Sequence, residues 1–451
     1  MGLPVAVVGS GYVGTVVAAC LAHVGHDVVG LEIDDDKRAV LERGNAPFHE
    51  PGLDVLLRSG LDSRHLRFTG DVADATTGAD IIFFCVGTPS DTDGRADMRY
   101  VESAARSIAL ALDGPKALVT KSTVPIGSGH WLESLVEEAL AERRDEQVPF
   151  AVASNPEFLR QGSAVDDYLH PDRVVLGSDD ARAVDLLREL YEPILTQRFP
   201  GGDRRKPPAL VCTGLTTAET VKYVSNAFLA LKVSFANEIA NVCESVGADV
   251  TEVMHAIGLD ARIGRPFLDA GIGWGGSCFG KDISELIAVS EEHGHDARLL
   301  RAALDVNHAQ RGLVVRKLRR RLCGLRGKRI GLLGLAFKSN TDDLRDAPSI
   351  DIARWLVEAG ATVRAHDPVV RTVPDVPAMR VVGDAYSVAE RADAVVLVTD
   401  WPEYNELELD VVRDRMRGRL FVDGRGVFDP DKVIAAGLLH EGIGRPAQLV
   451  S

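Results

Sequence analysis

The N-terminal stretch restricts the fold of this chain more than any other. Pro4 to Val8 is a short apolar run of strand character, and Gly9-Ser-Gly-Tyr-Val-Gly14 follows it directly. An apolar segment of helical length comes next, Thr15 to Val24, and then a second strand-like run, Asp27 to Ile33. A strand that runs through G-x-G-x-x-G into a helix is a tight turn. Its glycines let the backbone approach a pyrophosphate seated on the helix N-terminus. Gly9, Gly11 and Gly14 hold the glycine positions, with Tyr12 and Val13 inside the turn. Glu32 closes the second strand eighteen positions after Gly14. A carboxylate there accepts from a ribose 2′-hydroxyl and repels a 2′-phosphate, which points to NAD rather than NADP. Lys37 either assists at the ribose or is simply solvated.

The alternation continues. Asp80 to Val86 is a continuous apolar run of the kind buried in parallel sheets, and Ala117 to Lys121 and Ala151 to Ser154 read as further strands. From Thr216 to Val246 the period changes. Val221, Val224, Phe228, Leu231, Phe235, Ile239 and Val242 recur at steps of three and four, with no Gly or Pro inside and Gly247 at the end. This predicts one long amphipathic helix whose apolar stripe packs on the protein. After Gly327 the βα pattern resumes, with strands at Arg329–Leu335, Thr362–Ala365 and Ala394–Thr399, a helix at 349–358, and Arg419–Val422 closing the set. The expected architecture is α/β, with two Rossmann-like doubly wound domains joined by a long central helix. Its parts are an NAD-binding domain over 1–208, a central helical domain with the Cys278 loop over 209–326, and a C-terminal Rossmann-like domain over 327–451. The Pro/Gly-rich loop at 199–208 marks the first boundary.

Chemistry concentrates in Gly271-Ile-Gly-Trp-Gly-Gly-Ser-Cys-Phe-Gly-Lys-Asp282. A thiol in a glycine-rich loop can be exposed and well placed, as a nucleophile needs. Read alone, Cys278 is more readily a small buried hydrophobe in a tight loop. Lys222 and Asn226, four apart, share one face of the long helix, where a Lys/Asn pair is ordinarily a solvated surface. The six cysteines are scattered, with no CxxC pair and no His/Cys ligand spacing. That suits a reducing compartment, the cytoplasm, with no metal site and no disulfide framework. The balance of 51 basic against 66 acidic residues gives a net charge of −15. A nucleic-acid or anionic-membrane partner is unexpected on that balance, and no apolar run is long enough to span a bilayer.

Together these stretches resemble the nucleoside-diphosphate-sugar dehydrogenases, of the UDP-glucose 6-dehydrogenase and GDP-mannose dehydrogenase type. The resemblance is carried in chain order by Gly9–Gly14, Val86-Gly-Thr-Pro89, Lys121-Ser-Thr-Val-Pro125, Asn155-Pro-Glu-Phe-Leu-Arg160, Lys222 with Asn226, Gly273–Asp282, Phe337-Lys338 and Thr341-Asp-Asp-Leu-Arg345. It implies a four-electron oxidation of a primary alcohol to a carboxylate with two NAD, and Gly-Gly-Ser-Cys-Phe points to UDP-glucose. By resemblance, Cys278 captures the intermediate aldehyde as a thiohemiacetal, and a second hydride transfer leaves a thioester. This gives the thiol a reason, because an aldehyde must become tetrahedral before it yields another hydride.

The resemblance assigns further roles. Lys222 and Asn226 polarise the C6 oxygen. Asp282 orders a water or acts as base, or caps the helix that follows. Glu157 is the base for thioester hydrolysis, with Thr123 holding the water or serving only as a turn residue. Gly87, Thr88, Pro89, Ser122 and Thr123 contact NAD, and Arg345 lies near it. Glu157, Phe158, Leu159 and Arg160 border the sugar. Phe267, Gly271, Gly273, Trp274 and Gly275 line the base and sugar. Phe337, Lys338 and Arg425 take the nucleotide end, or the two cations are surface charges. Arg262 reaches a neighbouring subunit's site, and the long helix forms the contact of a homodimer or higher homo-oligomer. Two positions depart from the family pattern: Gln161 stands where a glutamate near the nicotinamide is usual, and Gly280 where proline is common. Other nucleotide sugars (dTDP-glucose, GDP-mannose) and a two-electron β-hydroxyacid dehydrogenase are the competing readings. A non-catalytic NAD-binding scaffold is a third.

Overall fold

The structure is a computed structural model that describes residues 2–89, 95–143, 148–202 and 206–446. It divides into two compact units, Met1–Ser225 and Asn226–Ser451. Part of the predicted boundary loop at 199–208 lies outside the described residues.

The first unit is built on β1 (Pro4–Val8), β2 (Asp27–Leu31), β3 (Leu66–Thr69), β4 (Ile81–Phe84), β5 (Lys116–Thr120), β6 (Phe150–Ser154), β7 (Arg173–Gly177) and β8 (Ala209–Thr213). They form one sheet in the order β3-β2-β1-β4-β5-β6-β7-β8, parallel except where β7 meets β6. β1 and β4 neighbour each other although two strands separate them in sequence. Their carboxyl ends therefore flank the switch point where doubly wound sheets bind ligands. All four residues of β4 are buried, as its unbroken apolar run requires. The helix after β1, Tyr12–His23, buries every residue from Gly14 to Ala22, so its core is apolar on all sides. β2 is shorter than the predicted strand because Ile33 is 80% exposed beyond its end. The sheet takes in Ala209–Thr213, past the loop at 199–208.

The second unit holds β9 (Arg329–Leu333), β10 (Thr362–His366), β11 (Arg380–Val381), β12 (Ala394–Leu397), β13 (Leu420–Asp423) and β14 (Leu439–Gly442). All are parallel in the order β11-β10-β9-β12-β13-β14, with a switch point between β9 and β12. Arg419–Val422 does not close the set: β14 pairs beyond it. Its sequence hides it because Glu441 sits within it, buried and neutralised from the helix Arg298–Arg321. There Lys317 lies 3.1 Å, Arg320 2.9 Å and Arg321 2.5 Å from the carboxylate.

The long helix spans Leu215–Val246, with Gly247 left-handed at φ 80° just past its end. Only part of its apolar stripe packs: Val221, Leu231 and Ile239 are half-buried, and the other four face outward. Val224, Phe228, Phe235 and Val242 are 50%, 61%, 49% and 51% exposed. From Ala227 onward the buried residues are mostly small: Ala227, Ala230, Ser234, Ala236, Asn237, Ala240 and Cys243; before it Glu219, Lys222, Tyr223 and Asn226 are buried too. Small side chains let neighbouring elements approach closely, and that selects the packing face over raw hydrophobicity. None of the described helices is long and apolar enough to cross a membrane.

Candidate active site

In the first unit the predicted cofactor residues converge at the carboxyl ends of β1, β4 and β5. A Cβ on Gly14 would meet the Gly9 carbonyl oxygen at 1.9 Å, so only glycine lets the helix pack this close to the strand. A Cβ on Gly11 would meet nothing within 4 Å, which leaves an open cradle in front of the helix N-terminus, as a pyrophosphate requires. Glu32 is buried at the end of β2. It accepts from the Asp34 backbone N–H at 3.1 Å and pairs with Lys37 at 2.6 Å, so Lys37 is engaged rather than merely solvated. Ser122 Oγ donates to the Val86 carbonyl at 2.6 Å, and Thr88 Oγ1 donates to the Thr123 carbonyl at 2.9 Å. These bonds tie the Gly87-Thr88-Pro89 segment to the turn after β5. The cradle, the buried acid and these turns fit a dinucleotide. Tyr12 faces inward, and its hydroxyl bonds Glu50. Burial and that carboxylate push the phenol far above its ordinary range.

A small pocket next to this edge is lined by Thr123, Glu157, Glu219 and Lys222, among others. Lys222 Nζ lies 2.8 Å from Glu157 Oε1, with both side chains buried, and Glu157 Oε2 also accepts from the Leu159 N–H at 2.6 Å. Lys222 sits 5.7 Å from the Phe158 ring centre, and Arg173 covers that ring at 4.0 Å. Arg160 turns outward to Asp167 at 2.5 Å and is 61% exposed. Gln161 precedes Gly162, whose N–H donates to Glu50 at 2.6 Å.

Glu219 is a residue the sequence reading passed over. It accepts from the N–H groups of Gly127 and Gly129, and burial raises its pKa. Its position one turn before Lys222 on the same helix is the signal that could have found it.

In the second unit the loop from Gly271 ends at Cys278. This residue is exposed and caps the helix Phe279–Glu292. The positive end of that helix favours an anion at the sulfur. Cys20, Cys85 and Cys243 are buried, and burial pushes the Cys85 thiol up to about 12, so it stays protonated. Cys278 is therefore the small buried hydrophobe of neither the loop nor the core. Asp282 lies in the first turn of the same helix rather than at its cap, and is 1% exposed. Asn226 Nδ2 donates to its Oδ2 at 2.6 Å, and Lys281 approaches Oδ1 at 3.5 Å. Arg345 holds its proton more tightly than usual because it hydrogen-bonds Asp343, and the charge of Cys278 adds to this.

Gly276 takes φ 88°, and a Cβ there would strike the Phe337 ring at 2.7 Å. Phe267 takes φ 65°, a left-handed conformation that costs a non-glycine residue roughly 1–2 kcal/mol. Trp274 packs edge-on to Phe279 with centroids 5.8 Å apart. Arg425 is half-buried just past the end of β13, bonding the carbonyls of Val398 (2.7 Å) and Gly273 (3.1 Å), so it is not a free surface charge. Lys338 lies 5.8 Å from the Phe337 ring. Arg262 is 89% exposed and paired with Asp260 at 2.6 Å.

Three family profiles match in series along the chain. They describe the NAD binding domain of the UDP-glucose/GDP-mannose dehydrogenase family over residues 3–195, its central domain over 216–309 and its UDP binding domain over 331–430. The chain belongs to the UDP-glucose/GDP-mannose dehydrogenase family. It is 42% identical to the UDP-glucose 6-dehydrogenase TuaD of Bacillus subtilis (strain 168), over 98% of this chain and 93% of that one. Identity to a UDP-glucose 6-dehydrogenase of Rhizobium meliloti (strain 1021) is 41%, over 98% of this chain and all of the other. A solved UDP-glucose dehydrogenase from the hyperthermophilic archaeon Pyrobaculum islandicum superposes with a TM-score of 0.88 at 40% identity, covering 99% of this chain and 98% of that one. Like the family, the chain uses NAD, and the glycine turn with Glu32 lies within the matched NAD binding domain.

Proposed function

We propose that this family member oxidises the C6 hydroxyl of UDP-glucose to the carboxylate of UDP-glucuronate, with two NAD and one water consumed per sugar. The observation that carries this reading is Cys278, an exposed thiol at the head of a helix whose first turn holds Asp282 against Asn226 at 2.6 Å. A two-electron dehydrogenase has no use for it. The matched UDP binding domain and the names of the relatives favour UDP-glucose over dTDP-glucose or GDP-mannose.

NAD, when bound, would supply the hydride acceptor for C6 in both oxidations. Gly11, Glu32 and the turns at Gly87–Pro89 and Ser122–Thr123 hold it, and Arg345 is the distal contact. Lys222 and Asn226, one helical turn apart, supply an ammonium and an amide to the C6 oxygen as negative charge develops there. Glu157, 2.8 Å away, orients Lys222. Cys278 then forms a C–S bond to the aldehyde carbon. Lys222 and Asn226 support the resulting oxyanion. Loss of hydride from that carbon leaves the thioester. Glu157 takes a proton from water as the water attacks, Thr123 positions the water, and the thiolate leaves. Asp282 takes the C6 hydroxyl proton of the first oxidation, directly or through an ordered water, and orients Asn226.

Phe158, Leu159 and Arg160 border the sugar. Phe267, Gly271 to Gly275, Phe337, Lys338 and Arg425 form the nucleotide subsite, and Arg262 serves the neighbouring subunit. The functional parts run over 1–208, 209–326 and 327–451. The exposed stripe Val224, Phe228, Phe235 and Val242, continued by Val246 at 72% exposure, suits a second copy of the chain, so we read the protein as a homodimer or a higher homo-oligomer. Six cysteines without a disulfide suit the cytoplasm, and the net charge of −15 disfavours nucleic acid and anionic membranes. A substrate panel of UDP-glucose, dTDP-glucose and GDP-mannose, read by NADH formation, tests the assignment. UDP-glucose should give the highest kcat/KM, and turnover of GDP-mannose alone would refute it.

A further inference from the structure

We infer that Arg311, on the helix Arg298–Arg321, is a positioning residue for Cys278. The inference rests on the reading of Cys278 as the nucleophile. The loop that leads to Cys278 has no ladder of its own, so its buried backbone groups need partners elsewhere. One face of this helix supplies them. Asn307 accepts from the Trp274 N–H at 2.7 Å and donates to the Trp274 carbonyl at 3.0 Å. Gln310 Nε2 donates to the Gly271 carbonyl at 2.7 Å. Arg311 Nη2 adds a second donor to the Trp274 carbonyl at 2.8 Å.

Arg311 differs from its two neighbours in what it does with its other nitrogen. Nη1 reaches Asp346 and Asp351, each at 2.7 Å, while the residue as a whole is 5% exposed. Asp346 follows Arg345, whose carbonyl accepts the Gly276 N–H at 3.0 Å and whose guanidinium feels the Cys278 charge. One planar, doubly forked cation thus holds the loop four residues before the thiol and, through Asp346, the segment whose Arg345 carbonyl accepts the Gly276 N–H two residues before that thiol. A merely structural loop clamp needs the Asn307 and Gln310 bonds only. The bridge to Asp346 fixes both anchors of the loop that carries Cys278 relative to each other, and misplacement of a reacting group by about 1 Å costs on the order of a hundredfold in rate. Lysine, a point charge on a flexible stem, cannot reproduce the fork.

The test compares Arg311→Met and Arg311→Lys with the parent, as full-length protein. Four quantities are measured: kcat and KM for UDP-glucose oxidation, the rate of iodoacetamide alkylation at Cys278 followed by peptide mass spectrometry, and the same rate at Cys212, an exposed thiol on β8. Expected for Arg311→Met is a loss of kcat of at least about tenfold, with KM for NAD held within about twofold. The Cys278 alkylation rate should change by about threefold or more while that of Cys212 does not. Arg311→Lys should recover part of both losses. A folded Arg311→Met protein with parental kcat and Cys278 alkylation overturns the inference. So does parental behaviour of Arg311→Lys if the methionine variant does not fold. The alkylation arm needs no substrate. If the parent fails to oxidise UDP-glucose, the functional reading fails while that arm still decides the role of Arg311.

Discussion

Lys222→Met is the perturbation that separates stability from chemistry most cleanly. Lys222 and Glu157 are 5% and 6% exposed and 2.8 Å apart, so deleting the ammonium leaves a carboxylate buried without its counter-charge. Breaking a buried pair from one side costs about 3–5 kcal/mol. Glu157 keeps one donor, the Leu159 N–H at 2.6 Å, which places the expected loss near the lower end, about 3 kcal/mol. Replacing Glu157 by Gln in the same protein removes the orphaned charge, and the double variant should lose only about 1 kcal/mol. Activity should behave differently. A donor to the developing alkoxide is worth roughly a hundred- to a thousandfold in kcat, and neither variant regains it. Urea unfolding gives the first comparison and NADH formation the second. A double variant no more stable than Lys222→Met would refute the buried-pair argument. A Lys222→Met protein with kcat within about threefold of the parent would refute the role in catalysis.

Three further outcomes follow from the structure. Gly280→Ala should stabilise the protein by about 0.5–1 kcal/mol in thermal unfolding, because Gly280 sits in the first turn of its helix and an added Cβ meets only Asp346 and Trp274, at 3.7 and 3.9 Å; a lower melting temperature would contradict this. Phe228→Glu with Phe235→Glu should lower the mass seen by light scattering to that of one chain, and an unchanged mass would remove the stripe as the subunit contact. Burial holds the imidazole of His26 below its ordinary pKa of about 6.5, and the ring accepts from the Leu3 N–H through Nδ1 at 3.1 Å. The unfolded chain then binds the proton first, so this contribution is present above about pH 6.5 and is lost as pH falls below it. His26→Gln should flatten part of that decline in melting temperature, and an identical pH profile would show that His26 is not responsible.

Much of the cofactor half was legible because its signals are local. Gly9, Gly11, Gly14 and Glu32 act through a turn and the strand beside it, and the strand-turn-helix context is written in adjacent residues. The segments that escaped are those whose environment is set from far away. β8 lies at a sheet edge with few buried residues, and β14 contains a glutamate that becomes a strand residue only when Lys317, Arg320 and Arg321 surround it. The long helix was visible from its period, but periodicity does not say which face packs. The alanine side won because close approach of backbones counts for more there than side-chain area. The Lys222, Asn226, Asp282 and Cys278 set was readable only through resemblance, since each residue alone has a duller explanation. Arg311 carried no signal at all, because its three partners come from two segments more than thirty residues away in opposite directions.

The central claim is that one thiol lets one enzyme remove two hydrides from the same carbon. Its most direct test is the count of NADH formed per UDP-glucose under limiting sugar nucleotide, with and without Cys278. The account predicts two NADH per sugar for the parent protein, and no net uronate from Cys278→Ala. One NADH per sugar, unchanged when Cys278 is replaced, would contradict it.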